Sequence, residues 1–168
     1  MHRYITWNGP MPTTAAQQSV TTGTAIKTML QVATPSTRQL QIISWGFSCD
    51  DPPGADAVVE LLQTDVAATV TAHVASGVDP LDPNAPASLM TLGTAATGYT
   101  ASAEGGTTVA RVFDVVSLDS TAGNSPLTYE RDFLPYAMPI VAISRFLRVR
   151  ATTPTTAVDM RCWLIWDE

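Results

Sequence analysis

The sequence predicts an all-β domain, a two-sheet β-sandwich of jelly-roll or Greek-key type with an extended N-terminal arm. Three observations favour this class. Apolar and polar residues alternate with a period of two along much of the chain. Clusters of Pro, Gly, Asp and Asn interrupt that alternation at intervals of roughly 10–15 residues, which is typical of sandwiches and barrels. No long stretch has the 3.6-residue periodicity of an amphipathic helix.

Residues 1–23 are predicted to form the arm, and residues 24–168 the sandwich. Pro10 and Pro12 interrupt regular structure near the start. Tyr4, Ile5 and Trp7 are nevertheless large apolar side chains, which a solvated tail does not need. Either they dock on their own domain or they reach a neighbouring subunit, and these three residues are the candidates for partner binding.

About eight strands follow from the period-two runs and their breaks. The strand after residue 38 places Leu40 and Ile42 on one face, with Ile43 and Trp45 on the other. The last two strands are expected to form a hairpin around residues 153–156, with the final strand central and covered on both faces. Residues 75–97 are predicted to be a long irregular loop. The predicted strands are residues 25–32, 38–49, 57–64, 66–74, 107–118, 129–133, 144–152 and 157–166.

Charge and composition exclude several classes of partner. Only 14% of the 168 residues are charged and the net charge is −6, whereas nucleic-acid binding requires clustered Lys and Arg. No apolar run reaches the roughly 18–20 residues of a membrane-spanning helix, and the N-terminus lacks the apolar core of a secretory signal. We therefore expect a protein made in a cytoplasm, with neither a nucleic-acid nor a membrane partner. Cys49 and Cys162 are then expected to be buried thiols rather than a disulfide.

No catalytic constellation is evident, so the protein is predicted not to be an enzyme and to have no cofactor. His73 is either a half-exposed strand residue or, less simply, a general base. Serine-nucleophile and phosphate-loop motifs are absent. The acidic residues that could act in pairs lie on separate predicted strands, which argues against a glycosidase. These residues are Glu60, Asp65, Asp114 and Glu130.

Other charged groups have simple interpretations. Arg145, Arg148 and Arg150 are expected to pair with nearby carboxylates. Residues 50–51 and 79–84 offer oxygen ligands for a surface calcium ion, but their spacing is not that of an EF-hand. The sequence therefore predicts no catalytic, cofactor-binding or metal-binding residue.

Four strand patterns resemble those of small virion proteins from tailed phages that infect actinobacteria. They are QLQIISWGFSCD at 39–50, VVELLQTDVAATVTAH at 58–73, FLRVRA at 146–151 and CWLIW at 162–166. The resemblance covers residue 38 to the end. It implies a capsid decoration (cement) protein on the exterior of the virion, made in the host cytoplasm. Such a protein would bind the major capsid protein as a homo-oligomer, with a trimer favoured, and stabilise the shell.

Two alternatives stay open. A carbohydrate- or receptor-binding β-sandwich of a phage tail would need exposed aromatic side chains beside Asp or Asn, for which Tyr99 and the loop at residues 79–84 are candidates. A tail adaptor or completion protein would share the fold class and assemble into rings.

Overall fold

The computed structural model describes residues 2–10, 14–106, 110–120, 127–134 and 137–168, and these residues form the predicted two-sheet β-sandwich. They contain thirteen strands, one short 3-10 turn at Ala75–Gly77 and no α-helix. The strands are β1 Arg3–Trp7, β2 Val20–Thr21, β3 Ile26–Ala33, β4 Leu40–Cys49, β5 Ala57–Thr64, β6 Thr69–Ala72, β7 Val78–Pro80, β8 Gly98–Ala103, β9 Ala110–Leu118, β10 Thr128–Asp132, β11 Ile140–Val141, β12 Phe146–Thr152 and β13 Asp159–Asp167.

The strands divide into two antiparallel sheets that enclose one apolar core. Sheet 1 has the order β10-β4-β13-β1-β7, with β11 beside β4 and β2 beside β13. Sheet 2 has the order β6-β8-β3-β12-β5-β9. The core lies between them because each strand turns alternate residues inward. Its largest apolar side chains include Tyr4, Trp45, Phe47 and Trp166, all at most 1% exposed.

A β-bulge in β4 corrects the predicted facing of that strand. Against β13, Ser44 lies opposite Ile165 while Ile42 lies opposite Trp166, so Ile43 is the extra residue. An extra residue shifts the alternation by one position. Both groups of apolar residues that were expected on opposite faces therefore enter the same core: Leu40 and Ile42 before the bulge, and Trp45, Phe47 and Cys49 after it.

The prediction that the last two strands form a hairpin is wrong, because β12 and β13 belong to different sheets. β12 lies between β3 and β5, whereas β13 lies between β4 and β1. Hydrogen bonds fix the connection from β12 to β13, which passes from one sheet to the other. The Thr153 hydroxyl donates to the Gly23 carbonyl and lies 3.1 Å from the Thr22 hydroxyl. β13 is central as predicted, but its outward face is only partly covered.

The predicted N-terminal arm does not lie outside the sheets, because its residues 3–7 form β1, an inner strand of sheet 1 between β13 and β7. Of the two alternatives for its apolar residues, docking on their own domain agrees with the structure. Tyr4 enters the core. Asn8 extends the attachment: its side chain donates to the Met160 carbonyl at 2.9 Å and accepts from the Cys162 amide at 2.8 Å. Pro10 lies after the end of β1. Pro12 itself lies outside the described residues.

The predicted irregular stretch contains a strand and a docked loop. Val78–Pro80 forms the short edge strand β7, where a proline at the last position is tolerated. The following loop packs on the end of the sandwich, because the Tyr4 hydroxyl donates to the Pro86 carbonyl at 2.9 Å and Met90 is buried. Of the predicted strand at 107–118, the described part is β9, and residues 107–109 lie outside the described residues.

Candidate binding face

Four apolar side chains meet on the outward face of sheet 1. Ile5 pairs with Ile165, and Trp7 pairs with Trp163, across the β1–β13 ladder. The two tryptophan rings lie 5.3 Å apart between centroids. All four side chains are half-buried, and none belongs to the core between the sheets. We call these residues, Ile5, Trp7, Trp163 and Ile165, the outer patch.

Glycine in β4 gives Trp163 room to lie against the sheet. Gly46 is the cross-strand partner of Trp163. A Cβ atom at this position would lie 2.3 Å from Cζ2 of the Trp163 ring and 2.6 Å from the Tyr129 carbonyl oxygen. Any larger residue would therefore push the indole away or disturb the pairing of β4 with β10.

A charged pair lies beside the outer patch, since Arg161 is on the same face of β13 as Trp163. The Arg161 guanidinium donates to the Asp50 carboxylate at 2.6 Å and to the Gln17 carbonyl at 3.2 Å. Hydrogen bonds from Ser19 and Arg161 hold the pKa of Asp50 below its ordinary value. An apolar, aromatic centre with a charged rim is the usual composition of a protein-binding surface.

The same face ends in an open groove of about 630 Å³. One cross-strand row runs across it, with Ile140 opposite Gln41, Gln41 opposite Asp167 and Asp167 opposite Arg3. The loop before β4 and the segment after β11 form its walls. We call it the end groove, and it is lined by Thr37, Arg38, Gln39, Gln41, Ile140, Ile143, Asp167 and Glu168.

The three predicted partner residues separate in the structure. Tyr4 is only 1% exposed and stacks on Trp166 with ring centroids 6.1 Å apart, so it has no surface to offer a partner. Burial, and then the carboxylate of Glu168, raise the pKa of its phenol. Ile5 and Trp7 belong to the outer patch.

Sequence reasoning missed the other half of the patch. The alternation of the last strand placed Trp163 and Ile165 together on one face, but that face was expected to be covered. Only the pairing of β1 with β13, which joins opposite ends of the chain, brings them beside Ile5 and Trp7.

His73 is a buried structural residue at the end of β6 rather than a half-exposed strand residue, because it is only 2% exposed. Its Nε2 atom lies 2.9 Å from the Trp7 carbonyl oxygen, and its ring packs on Tyr99 with centroids 4.9 Å apart. Burial lowers the pKa of the imidazole, and the bond to Trp7 opposes that shift. The histidine therefore attaches β1 to the neighbouring loop, and Tyr99 serves as its packing partner.

Asp114 joins the two sheets at one edge. Its carboxylate accepts hydrogen bonds from the Trp45 indole at 3.0 Å, the Tyr129 hydroxyl at 2.8 Å and the Arg131 guanidinium at 2.7 Å. Burial, and then the bond to Asp114, raise the pKa of Tyr129. These contacts satisfy the carboxylate and give it a structural role.

The arginines on β12 are paired as predicted. Arg150 donates to Glu60 at 2.9 Å. Arg148 is fully buried, lies 3.5 Å from the Glu104 carboxylate and also bonds to the Val66 carbonyl. Burial lowers the pKa of the Arg148 guanidinium, and Glu104 opposes that shift. Arg145 differs, because its guanidinium donates to the Ser144 carbonyl at 3.4 Å.

The two cysteines are buried free thiols, as predicted. Burial raises the pKa of Cys49 to about 11, and that of Cys162 well above its ordinary value. Thiols with such a raised pKa are poor nucleophiles.

The described ranges contain no group of three His, Cys, Asp or Glu side chains arranged to hold a metal ion. In the loop that was considered for calcium, Asp82 instead lies 3.4 Å from His2 and accepts from the Asn84 amide at 3.0 Å. In the same part of the chain, no helix is long and apolar enough to cross a membrane.

Comparison with protein-family models, curated proteins and solved structures finds no match for the chain.

Proposed function

We propose that the protein is a non-enzymatic binding protein that docks on a larger protein surface through the outward face of sheet 1. The observation that carries this proposal is the outer patch. It offers two tryptophan and two isoleucine side chains, held on rigid strands in the middle of a sheet. Aromatic anchors of this kind dominate the binding energy of protein interfaces.

The remaining chemistry supports a binding role over a catalytic one. His73 bonds to a backbone carbonyl, and Asp114 is occupied by three donors that join the two sheets. Both are used to hold the fold. The two thiols, which could have been nucleophiles, are buried with raised pKa values.

The resemblance of four strand patterns to phage virion proteins suggests a more specific identity. In this proposal the protein is a capsid decoration protein that binds the major capsid protein on the virion exterior, as a homo-oligomer and most simply a trimer. The outer patch then contacts the shell. A tail adaptor would use the same kind of face, and electron microscopy of the virion separates the two by location.

Co-sedimentation with expanded capsids of an actinobacterial tailed phage tests the proposal. We expect saturable binding of the wild-type protein and at least ten-fold weaker binding of Ile5→Lys, because a charge in the patch would be desolvated. Val115→Lys is the matched control, since Val115 is 53% exposed on β9 in the other sheet. Circular dichroism verifies that both variants fold.

Light scattering of the purified protein gives an independent measurement. A strict monomer that also fails to bind capsids would overturn the decoration proposal. Equal capsid binding by Ile5→Lys and Val115→Lys would instead rule out the outer patch as the docking surface.

A further inference from the structure

The end groove holds two buried carboxylates that are incompletely paired. Asp167 and Glu168 are only 6% and 9% exposed. Among the described residues, Asp167 Oδ1 and Glu168 Oε2 have no hydrogen-bond partner, whereas Glu168 Oε1 accepts from the Leu89 backbone amide at 2.8 Å. A buried carboxylate oxygen without a donor costs free energy, which a cation or donor entering the groove would recover.

In the described part of the chain, two arginines lie beside these carboxylates without forming an ion pair with them. Arg3 is the cross-strand neighbour of Asp167, and Arg38 lines the groove. Among the described residues, the ion pairs of the protein lie elsewhere and none joins either arginine to Asp167 or Glu168.

The two groove carboxylates also act electrostatically on the buried Tyr4 phenol. After burial, the carboxylates of Glu168, Asp82 and Asp167 raise the pKa of Tyr4, and Arg38 opposes them. The groove is thus suited to a positive charge, even with one arginine in its wall.

The walls of the groove supply apolar contact. Ile140 and Ile143 are 40% and 47% exposed. Gln41, between Ile140 and Asp167 in the cross-strand row, adds an amide oxygen to the two carboxylates. A long basic side chain combines an apolar stem with a charged end, and a guanidinium can donate to several oxygens at once.

We propose that the end groove receives an arginine side chain of the docking partner, with its guanidinium at Asp167 and Glu168 and its stem along Ile140 and Ile143. This inference rests on the proposed docking function and specifies the chemistry of the partner. The groove is the end of the face that carries the outer patch, so one partner surface can fill both.

Nuclear magnetic resonance titration with Nα-acetyl-arginine amide tests the inference. We expect saturable shifts of the Ile140 and Ile143 methyl groups, beyond those produced by equal concentrations of sodium chloride. The Asp167→Asn/Glu168→Gln double variant should bind at least ten-fold more weakly. Asp79→Asn, which alters a carboxylate on neighbouring β7, should bind like the wild type.

The melting temperature of the double variant and a second variant, Ile143→Lys, show whether lost binding reflects the groove or a failure to fold. The melting temperature of the double variant should be no lower than that of the wild type, because the substitutions remove unpaired buried charge. The side-chain amide oxygen introduced by Glu168→Gln can still accept the hydrogen bond from the Leu89 amide. If the double variant does not fold, Ile143→Lys provides the second test: it places a cation at the mouth of the groove and should abolish the saturable shifts.

Three results would overturn the inference. They are the absence of saturable shifts, equal binding by the double variant, and a response to calcium chloride without one to the arginine derivative, which would indicate a metal site. The capsid experiment separates this failure from that of the proposed function. Capsid binding that is lost in Ile5→Lys but kept in the double variant would retain the docking face and reject the arginine groove.

Discussion

A single carboxylate, Asp114, fastens the edge of one sheet to the edge of the other. It lies on β9 of sheet 2, while its donors lie on β4 and β10 of sheet 1. The Trp45 indole is fully buried, so its N–H group has no access to water. Arg131 is 47% exposed and would be solvated without its partner, which makes the ion pair itself a small contribution.

Replacing Asp114 by alanine should therefore lower the free energy of unfolding by about 2–4 kcal/mol, mainly because the Trp45 N–H group and the Tyr129 hydroxyl lose their acceptor. Glu130→Ala, at an exposed position on β10, should change it by about 0.5 kcal/mol or less. Urea denaturation measures both. Similar losses in the two variants would contradict the structural role of Asp114.

His73 should make stability depend on pH below neutrality. Its pKa in the folded protein lies below the ordinary 6.5 because the ring is buried. As pH falls through about 6.5, the unfolded chain binds a proton that the folded protein does not, so the free energy of unfolding decreases. The contribution is fully present above that pH and is lost progressively until the folded-state pKa is reached.

Urea denaturation between pH 7 and pH 5 checks this dependence. His73→Gln should show a shallower slope than the wild type, by at most about 1.4 kcal/mol per pH unit. The other titrating groups are common to both proteins and cancel in the difference. Identical slopes would show that the imidazole is not buried in its neutral form.

At the scale of the element, β4 shows which features of a strand can be predicted from sequence. Its length, its end before Asp50 and its apolar composition follow from local alternation and from the prolines after it. The bulge at Ile43 does not, because a bulge is defined by the register of the partner strand. The predicted hairpin of β12 and β13 fails for the same reason, because alternation identifies a strand without identifying the strand it pairs with.

The candidate site was predictable to the same partial extent. The sequence identifies Ile5 and Trp7 as candidates for partner binding, but it predicts that the strand containing Trp163 is covered on both faces. These side chains come together only because β1 pairs with β13. The end groove depends on the same pairing, and no local pattern indicates it.

Gly46 in β4 sets the shape of the outer patch, and Gly46→Ala should destabilise the protein by about 1–3 kcal/mol, as expected for overpacking. The new methyl group would collide with the Trp163 ring and the Tyr129 carbonyl. The change should also alter tryptophan fluorescence as the indole moves. Gly106→Ala is the matched control, because no atom of the described residues lies within 4 Å of a Cβ placed there. If Gly46→Ala changed neither the stability nor the tryptophan fluorescence, the close packing of Trp163 on β4 would be contradicted.

At the scale of the whole molecule, the first strand completes sheet 1. β1 lies between the last strand and β7, so the two ends of the chain are held together in the centre of one sheet. Its side chains serve both layers, with Tyr4 in the core and Trp7 in the outer patch. The binding face and the stability of the sandwich therefore depend on the same segment.

Deleting residues 1–9 should consequently unfold the protein rather than merely weaken partner binding. The deletion removes a ladder of five residue pairs with β13 and exposes the core around Trp166. Loss of a buried aromatic residue alone costs about 3–5 kcal/mol, which is a large part of the roughly 5–15 kcal/mol that stabilises a typical domain. Circular dichroism and thermal melting measure the outcome. The matched comparison is Trp7→Ser, which alters the outer patch but keeps β1 and should remain folded with weaker partner binding. A truncated protein that melts cooperatively near the wild-type temperature would restore the view that these residues form a dispensable arm.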